Sequence, residues 1–278
     1  IDLTNLDTTS VPGNDFYQYA CGGWMKAHPL TGEYSRFGSF DMLRENNLKQ
    51  LNELVTEIAK NGGSDGTIEQ KISDLYNIAM DSTKLNKDGN MPVMEDLKMI
   101  SAIKTKEDLL KIIPKLNLEG ADTYFSVYVD ADAKNSKQNL VQTYQSGISL
   151  GEREYYVSND AHTKEILEKY GQHIVKMFGL FGFSDVQSKA AMEAVLKIEN
   201  RLAVAAYDNV KLRDPQANYN KMTIPELKKM VPAINWEQYL ADLGIKNVKE
   251  ISVSQKESLM EVGKIIETES LENHIAYL

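Results

Sequence analysis

The chain has 278 residues, of which 42% are hydrophobic and 26% are charged, and these values are typical of folded globular proteins rather than of disordered or fibrous ones. Lysine and arginine number 31 against 40 aspartates and glutamates, so the net charge is −9 and no basic stripe is present to follow a nucleic-acid backbone. No apolar run approaches the roughly 18 residues of a membrane span, and the single cysteine, Cys21, excludes an internal disulfide and a multi-cysteine metal site.

Most of the predicted elements are amphipathic helices, in which apolar residues recur every three or four positions. The first is a short aromatic-rich helix that begins after Asn14 or Asp15 and ends at Gly22. The others are predicted at about residues 37–60, 68–85, 91–103, 105–116, 160–181, 185–207, 235–243 and 255–278, with a further helix that begins at Thr223. The glycine-rich segment 61–66 separates two of them, which we expect to form a helical hairpin. Pro114 is expected to kink or end its helix, and a break is expected near Glu269.

The hydrophobic period changes from about 3.6 to 2 in the middle of the chain. Phe125, Val127 and Val129 alternate with polar residues, and residues 140–145 form a second run compatible with a strand. Residues 132–136 supply turn-forming side chains between the two runs. The sequence therefore predicts a mainly α fold, a multi-helix domain with one small antiparallel β-hairpin.

No set of residues in the sequence predicts a catalytic or metal site. A zinc peptidase helix needs two histidines four residues apart and a glutamate beside the first, and His28, His162, His173 and His274 do not have that spacing. No phosphate-binding glycine loop or activated serine or cysteine is present, and the carboxylates alternate with lysines as on a solvated helix face. His173 lies near the apolar stripe of its helix and is interpreted as a hydrogen-bonded structural histidine.

Arg36 and Asp41 form the remaining candidate site, since the arginine precedes the long helix and the aspartate lies in its first turns. Arg36 can bind a carboxylate through two parallel hydrogen bonds while Asp41 holds the guanidinium in place. An ordinary ion pair at the helix entry explains the same two residues. The residues alone leave both interpretations open.

Several blocks of the sequence resemble the N-terminal portion of the neprilysin family of zinc metallopeptidases, which includes endothelin-converting enzymes and bacterial endopeptidase O. The blocks occur in the family's order and cover most of the chain. They are Asp15-Phe-Tyr-Gln-Tyr-Ala-Cys-Gly-Gly-Trp24, Arg36-Phe-Gly-Ser-Phe-Asp-Met-Leu-Arg44, Val127-Tyr-Val-Asp-Ala-Asp-Ala-Lys-Asn-Ser136, Gly147-Ile-Ser-Leu-Gly-Glu-Arg-Glu-Tyr-Tyr156 and Tyr219-Asn-Lys-Met-Thr-Ile-Pro-Glu-Leu227.

The resemblance implies that Arg36 binds the free C-terminal carboxylate of small peptide substrates and that Asp41 supports this arginine. It implies that the zinc ligands and catalytic groups lie beyond residue 278, so this chain alone binds no zinc and is inactive. Residues 1–44 are expected to pack against the C-terminal catalytic domain of the same protein, and residues 45–278 to form a helical cover that encloses the substrate cavity.

The resemblance also bears on the origin of the chain, and an alternative function stays open. The cysteine that matches Cys21 pairs with a distant cysteine in animal members, a partner that this chain lacks. Together with the frequent lysine and asparagine, this suggests a bacterial member. Bacterial members are exported or sometimes cytoplasmic, and the resemblance leads us to expect export to the periplasm or cell surface. The alternative function is a stand-alone helical module that binds peptides or a protein without hydrolysis.

Overall fold

The computed structural model describes residues 2–31 and 36–278. The chain divides into two compact units, Ile1–Gly89 and Asn90–Leu278. The described residues form thirteen α-helices, three short 3-10 helices and four strands. This confirms the predicted mainly α fold. The predicted domain boundary after residue 44 concerns packing against a catalytic domain outside this chain, and it stays a prediction.

The first unit is built around a helical hairpin. Its α-helices are α1 (Phe16–Ala27), α2 (Ser39–Asn61), α3 (Ile68–Met80) and α4 (Ser82–Asp88). As predicted, α2 and α3 pack against each other, and Gly62 ends α2 with a φ of 66°, which glycine adopts without strain. Several large apolar side chains of this hairpin remain exposed, among them Phe40, Leu48, Leu75 and Ile78.

The second unit contains the other nine described α-helices. They are α5 (Met94–Ser101), α6 (Lys106–Leu118), α7 (Glu154–Val157), α8 (Ala161–Leu180), α9 (Asp185–Ala205), α10 (Ile224–Met230), α11 (Trp236–Asp242), α12 (Lys256–Thr268) and α13 (Leu271–Tyr277). Thr223 begins α10 as predicted, because its backbone N–H donates to Glu226 Oε2 at 2.8 Å and its hydroxyl accepts from the Glu226 N–H at 3.4 Å. The predicted break near Glu269 is confirmed between α12 and α13.

Two predicted helix boundaries were wrong. Pro114 does not end α6, which continues to Leu118 with the proline ring buried, because burial against the core outweighs the loss of one backbone hydrogen bond. The predicted helix 68–85 is divided at Asp81, whose carboxylate accepts the N–H of Lys84 at 2.9 Å and so begins a new helix.

A four-stranded sheet lies in the second unit, with β1 at Phe125–Asp132, β2 at Asn135–Gln145, β3 at Lys221–Thr223 and β4 at Glu250–Val253. Strands β1 and β2 form the predicted antiparallel hairpin. The strand order is β1-β2-β4-β3, with β4 parallel to β2 and antiparallel to β3. The sequence did not predict β3 and β4, which have three and four residues.

The hydrophobic core of the second unit lies between one face of this sheet and the helices. Trp236 is fully buried, and its indole N–H donates to the Val231 carbonyl at 3.1 Å. Its ring lies 5.7 Å from that of Phe125 and 5.8 Å from that of Tyr239. The sheet is therefore fixed to α11 by aromatic packing.

The junction between α12 and α13 is held by the buried carboxylate of Glu269. It accepts from Arg201 at 2.7 Å, Lys197 at 2.8 Å and Asn273 at 2.9 Å. Burial by itself raises the pKa of this carboxyl, but the hydrogen bonds and charges of Lys197 and Arg201 outweigh burial and lower the pKa to about 2. The ionised form thus stabilises the folded chain.

This arrangement predicts a pH-dependent stability. Because the folded pKa lies below the unfolded one, the contribution is complete above the unfolded pKa and is lost as pH falls from about 5 towards 2. We expect Glu269→Gln to lower the free energy of unfolding by about 2 kcal/mol at neutral pH and by much less near pH 3. Urea unfolding at both pH values measures this, with the exposed Glu267→Gln as the control. An equal loss at both pH values would show that ionisation of Glu269 is not responsible.

Candidate functional site

The segment that carries Arg36 is positioned by a stack of aromatic rings. The rings of Trp24 and His28 at the end of α1 lie 4.3 Å apart, and the ring of Phe37 lies 6.2 Å from Trp24 and 6.5 Å from His28. Phe37 is thereby held beside the C-terminus of α1. Arg36, the preceding residue, is exposed.

Asp41 lies in the first turn of α2 and caps the start of that helix. Its Oδ2 accepts the backbone N–H of Gly38 at 3.0 Å, and its Oδ1 lies 3.9 Å from the guanidinium of Arg44. Within residues 2–31 and 36–278, Asp41 is paired with Arg44 rather than with Arg36. The role of Asp41 as a support for Arg36, and the binding of substrate by Arg36, stay predictions.

The described residues offer no donor set that fits a zinc ion. In the ranges 2–31 and 36–278, no group of three or more histidine, cysteine, aspartate and glutamate side chains is close enough to hold a metal. No helix in those ranges is long and apolar enough to span a membrane. Cys21 is free and half-buried.

His274, rather than His173, is the buried structural histidine. Its Nδ1 lies 2.7 Å from the Tyr124 hydroxyl, and burial lowers the pKa of its imidazole. His173 is exposed, so its interpretation as a hydrogen-bonded structural histidine was wrong. The hydrophobic periodicity placed His173 close to the apolar face of α8, but the buried residue at this point of the helix is its neighbour Ile174.

A groove of about 1030 Å³ lies in the second unit between α8, α9, α13 and the loop at residues 146–149. Its walls are largely apolar and include Ile174, Met177, Phe178, Phe183, Val195 and Leu278. Met177 and Phe183 remain 38% and 41% exposed, so this is an open apolar surface. A surface of this kind is typical of a site that another polypeptide segment covers.

Glu199 lies in the wall of this groove and is almost completely buried. Its carboxylate accepts four hydrogen bonds, from the Ser149 N–H (3.1 Å) and hydroxyl (2.6 Å), the Tyr156 hydroxyl (2.9 Å) and the Tyr170 hydroxyl (3.0 Å). Burial raises the pKa of Glu199, and the donors act against that rise. The carboxylate thus joins α7, α8 and α9 to the loop at residues 146–149.

Sequence analysis did not single out Glu199, because most carboxylates on these helices alternate with lysines. The sequence nevertheless indicates that Glu199 is buried, since it lies four residues after Val195 and three before Leu202, on the buried side of α9. A glutamate at such a position must be paired or hydrogen-bonded. Of the partner residues, Ser149 and Tyr156 belong to the block that ends at Tyr156, and Tyr170 lies in α8.

Residues 12–278 match the N-terminal sequence profile of peptidase family M13. Human endothelin-converting enzyme 1 is 32% identical over 279 residues, which cover 96% of this chain and 36% of that protein. Endothelin-converting enzyme-like 1 of mouse is 28% identical over 250 residues, covering 85% of this chain and 32% of that protein. The chain therefore belongs to the M13 family of metallopeptidases and spans about a third of the length of these relatives.

Solved structures show the same fold. The zinc metalloprotease Zmp1 of Mycobacterium tuberculosis, in complex with an inhibitor, superposes with a TM-score of 0.89 and 28% identity over 100% of this chain and 42% of that one. PepO from Lactobacillus rhamnosis superposes with a TM-score of 0.72 at 19% identity over 96% of this chain and 42% of that one, and this likeness concerns the fold alone. The expected relation to the neprilysin-type peptidases is thus confirmed.

Proposed function

We propose that this chain is the non-catalytic N-terminal part of a zinc endopeptidase that cleaves small peptides. The relatives are zinc metallopeptidases, and this chain corresponds to 42% of the Zmp1 chain. In this proposal, the remainder of the parent protein supplies the zinc ligands and the groups that activate water. This chain contributes substrate binding and enclosure.

The observation that carries the proposal is the position of Arg36. Arg36 is exposed, lies three residues before the start of α2, and is followed in the chain by Phe37, which the aromatic stack fixes. A guanidinium forms two parallel hydrogen bonds with a carboxylate, so it is suited to the free C-terminus of a peptide. A peptidase that recognises this terminus prefers short substrates, whose C-terminus lies near the scissile bond.

Enclosure of the substrate is supported by the apolar surfaces that each unit leaves exposed. In the first unit these are the side chains of α2 and α3, and in the second unit the groove beside α8 and α13. We infer that the C-terminal catalytic domain of the parent protein covers apolar surface of this kind. The proposed parent is an exported bacterial enzyme of the endopeptidase O type, and the frequent lysine and asparagine of this chain support a bacterial origin.

The role of Asp41 provides a test of the proposed site. In the full-length protein, Asp41→Asn is expected to raise KM for peptides with a free C-terminus by about three- to tenfold, since it weakens the orientation of Arg36 without touching substrate. Peptides of the same sequence with an amidated C-terminus should change little. Steady-state kinetics on both peptides, with the exposed Glu53→Gln of α2 as the control, measure the difference. Equal changes for both peptides would assign Asp41 to helix capping alone.

A further inference from the structure

The groove between α8, α9 and α13 has walls that are fixed by hydrogen bonds. The Tyr277 hydroxyl of α13 accepts from the backbone N–H of Tyr124 at 3.1 Å and donates to the Gly147 carbonyl at 2.7 Å. Glu199 of α9 accepts from the Ser149 hydroxyl of the same loop at 2.6 Å. The loop at residues 146–149 is therefore tied to both α9 and α13, and the groove has its shape before anything binds in it.

The open part of the groove is apolar. Met177 and Phe178 of α8, Phe183 between α8 and α9, and Val195 of α9 all line it, and the rings of Phe178 and Phe183 pack edge to face at 5.2 Å. Contiguous apolar surface of this kind marks a site that a partner covers. The volume of about 1030 Å³ is at the upper limit of small-molecule pockets, which have about 300–1,000 Å³. A polypeptide segment therefore fits the groove better than a small ligand.

The charges beside this apolar surface are negative. Asp122 and Glu272 line the groove and are both exposed, whereas the carboxylate of Glu199 is already bound by its four donors. In the described part of the chain, no lysine or arginine lines the groove. A segment that carries a lysine or arginine among apolar side chains would match the groove in both polarity and charge.

The end of α13 forms part of the groove wall. Ile275, Tyr277 and Leu278 all line the groove. In the proposed parent protein the polypeptide continues past Leu278 towards the catalytic domain, so the first residues of that continuation emerge beside the apolar surface. Ten residues of helix advance roughly 15 Å. A segment tethered at this point has a high effective concentration in the groove, an advantage that a free peptide or a second molecule lacks.

We propose that the groove is filled by the segment of the parent protein that directly follows Leu278, folded as an amphipathic helix. Its apolar side chains, three or four residues apart, would pack against α8 and α9, and a basic side chain would face Asp122 or Glu272. This inference rests on the proposed function, which supplies the continuation of the chain. It assigns the groove to packing within the parent protein and not to the binding of substrate.

Labelling of a cysteine placed in the groove tests whether the groove is covered. In a Cys21→Ser background, Met177→Cys should react with a maleimide at least about tenfold more slowly in the full-length parent than in this chain, since a covered thiol reacts only after local opening. The matched control is Val186→Cys, an exposed position of α9 that does not line the groove. It should react at similar rates in both proteins. Equal rates for Met177→Cys in the two proteins would overturn the proposal.

Photo-crosslinking identifies the segment that covers the groove. With p-benzoylphenylalanine in place of Met177 in the full-length parent, mass spectrometry should locate the crosslink within about 20 residues after Leu278, a stretch of roughly 30 Å as a helix. A crosslink to a more distant part of the parent, to a second copy or to an added peptide substrate would overturn the proposal. Crosslinking requires neither zinc nor turnover, so a parent that lacks peptidase activity would contradict the proposed function and leave this result intact.

Discussion

In the full-length protein, Arg36→Met is expected to raise KM for short peptides with a free C-terminus by about tenfold to a hundredfold, where KM follows binding. The reason is the loss of a charge-assisted pair between the guanidinium and the substrate carboxylate, which contributes about 1.5–3 kcal/mol. Peptides with an amidated C-terminus should change little, because they never offered the carboxylate. The ratio of the two KM changes is therefore the quantity to measure.

Arg44→Met is the matched control for this experiment. Arg44 lies in the second turn of α2, its side chain is 61% exposed, and its replacement removes the same charge near the same helix entry. It should not distinguish free from amidated peptides. Equal losses for both peptides in Arg36→Met would mean that Arg36 has a structural role and does not bind the substrate carboxylate.

Glu199→Ala is expected to produce a large loss of stability, about 3–5 kcal/mol in the free energy of unfolding. The change leaves four hydrogen-bond donors without their acceptor in a buried site, from Ser149, Tyr156 and Tyr170. Chemical denaturation of the chain measures the loss. This loss of unfolding free energy should exceed the loss caused by replacing an exposed glutamate of α9 with alanine.

Glu193→Ala provides that comparison, since Glu193 lies on the exposed side of the same helix. Its effect should be within about 0.5 kcal/mol of zero. A similarly small effect of Glu199→Ala would show that the loop at residues 146–149 repacks without the carboxylate. The groove would then keep its shape independently of this network.

Much of the helical framework could be predicted because its signals are local. Thr223 and Glu226 form a capping box, Asn235 caps α11, and glycine follows α2, so each boundary is set by a few neighbouring residues. The β-hairpin was also predictable, because both arms and the turn are contiguous in the sequence. The length and register of these elements follow from side chains that are adjacent along the chain.

Features that depend on distant residues were not predictable. Strand β4 is short, and its parallel pairing with β2 joins residues more than a hundred positions apart. Pro114 is accommodated because tertiary packing around α6 outweighs its local tendency to break a helix. The hydroxyls around Glu199 come from three separate segments, so only the fold brings them together.

The candidate site was likewise predicted in part from the sequence, whereas its contacts were not. Residue chemistry selected Arg36 and Asp41, and the resemblance between sequences implied their role in substrate binding. The structure places them on either side of the start of α2. It pairs Asp41 with Gly38 and Arg44, a local capping arrangement that the spacing of the two residues did not predict. The proposed binding of substrate by Arg36 involves a peptide and a catalytic domain, so it follows from no local signal in this chain.

The assignment of this chain as the non-catalytic part of a zinc peptidase is tested most directly by zinc analysis and a fluorogenic peptide assay. Both should be carried out on the chain alone and on the full-length parent protein. We predict that the parent holds one zinc per molecule and cleaves the peptide. The chain alone should retain no stoichiometric zinc and cleave nothing, since no two of its histidines are four residues apart and its cysteine is single. A tight one-to-one zinc complex of the chain alone that hydrolyses the peptide would contradict the assignment.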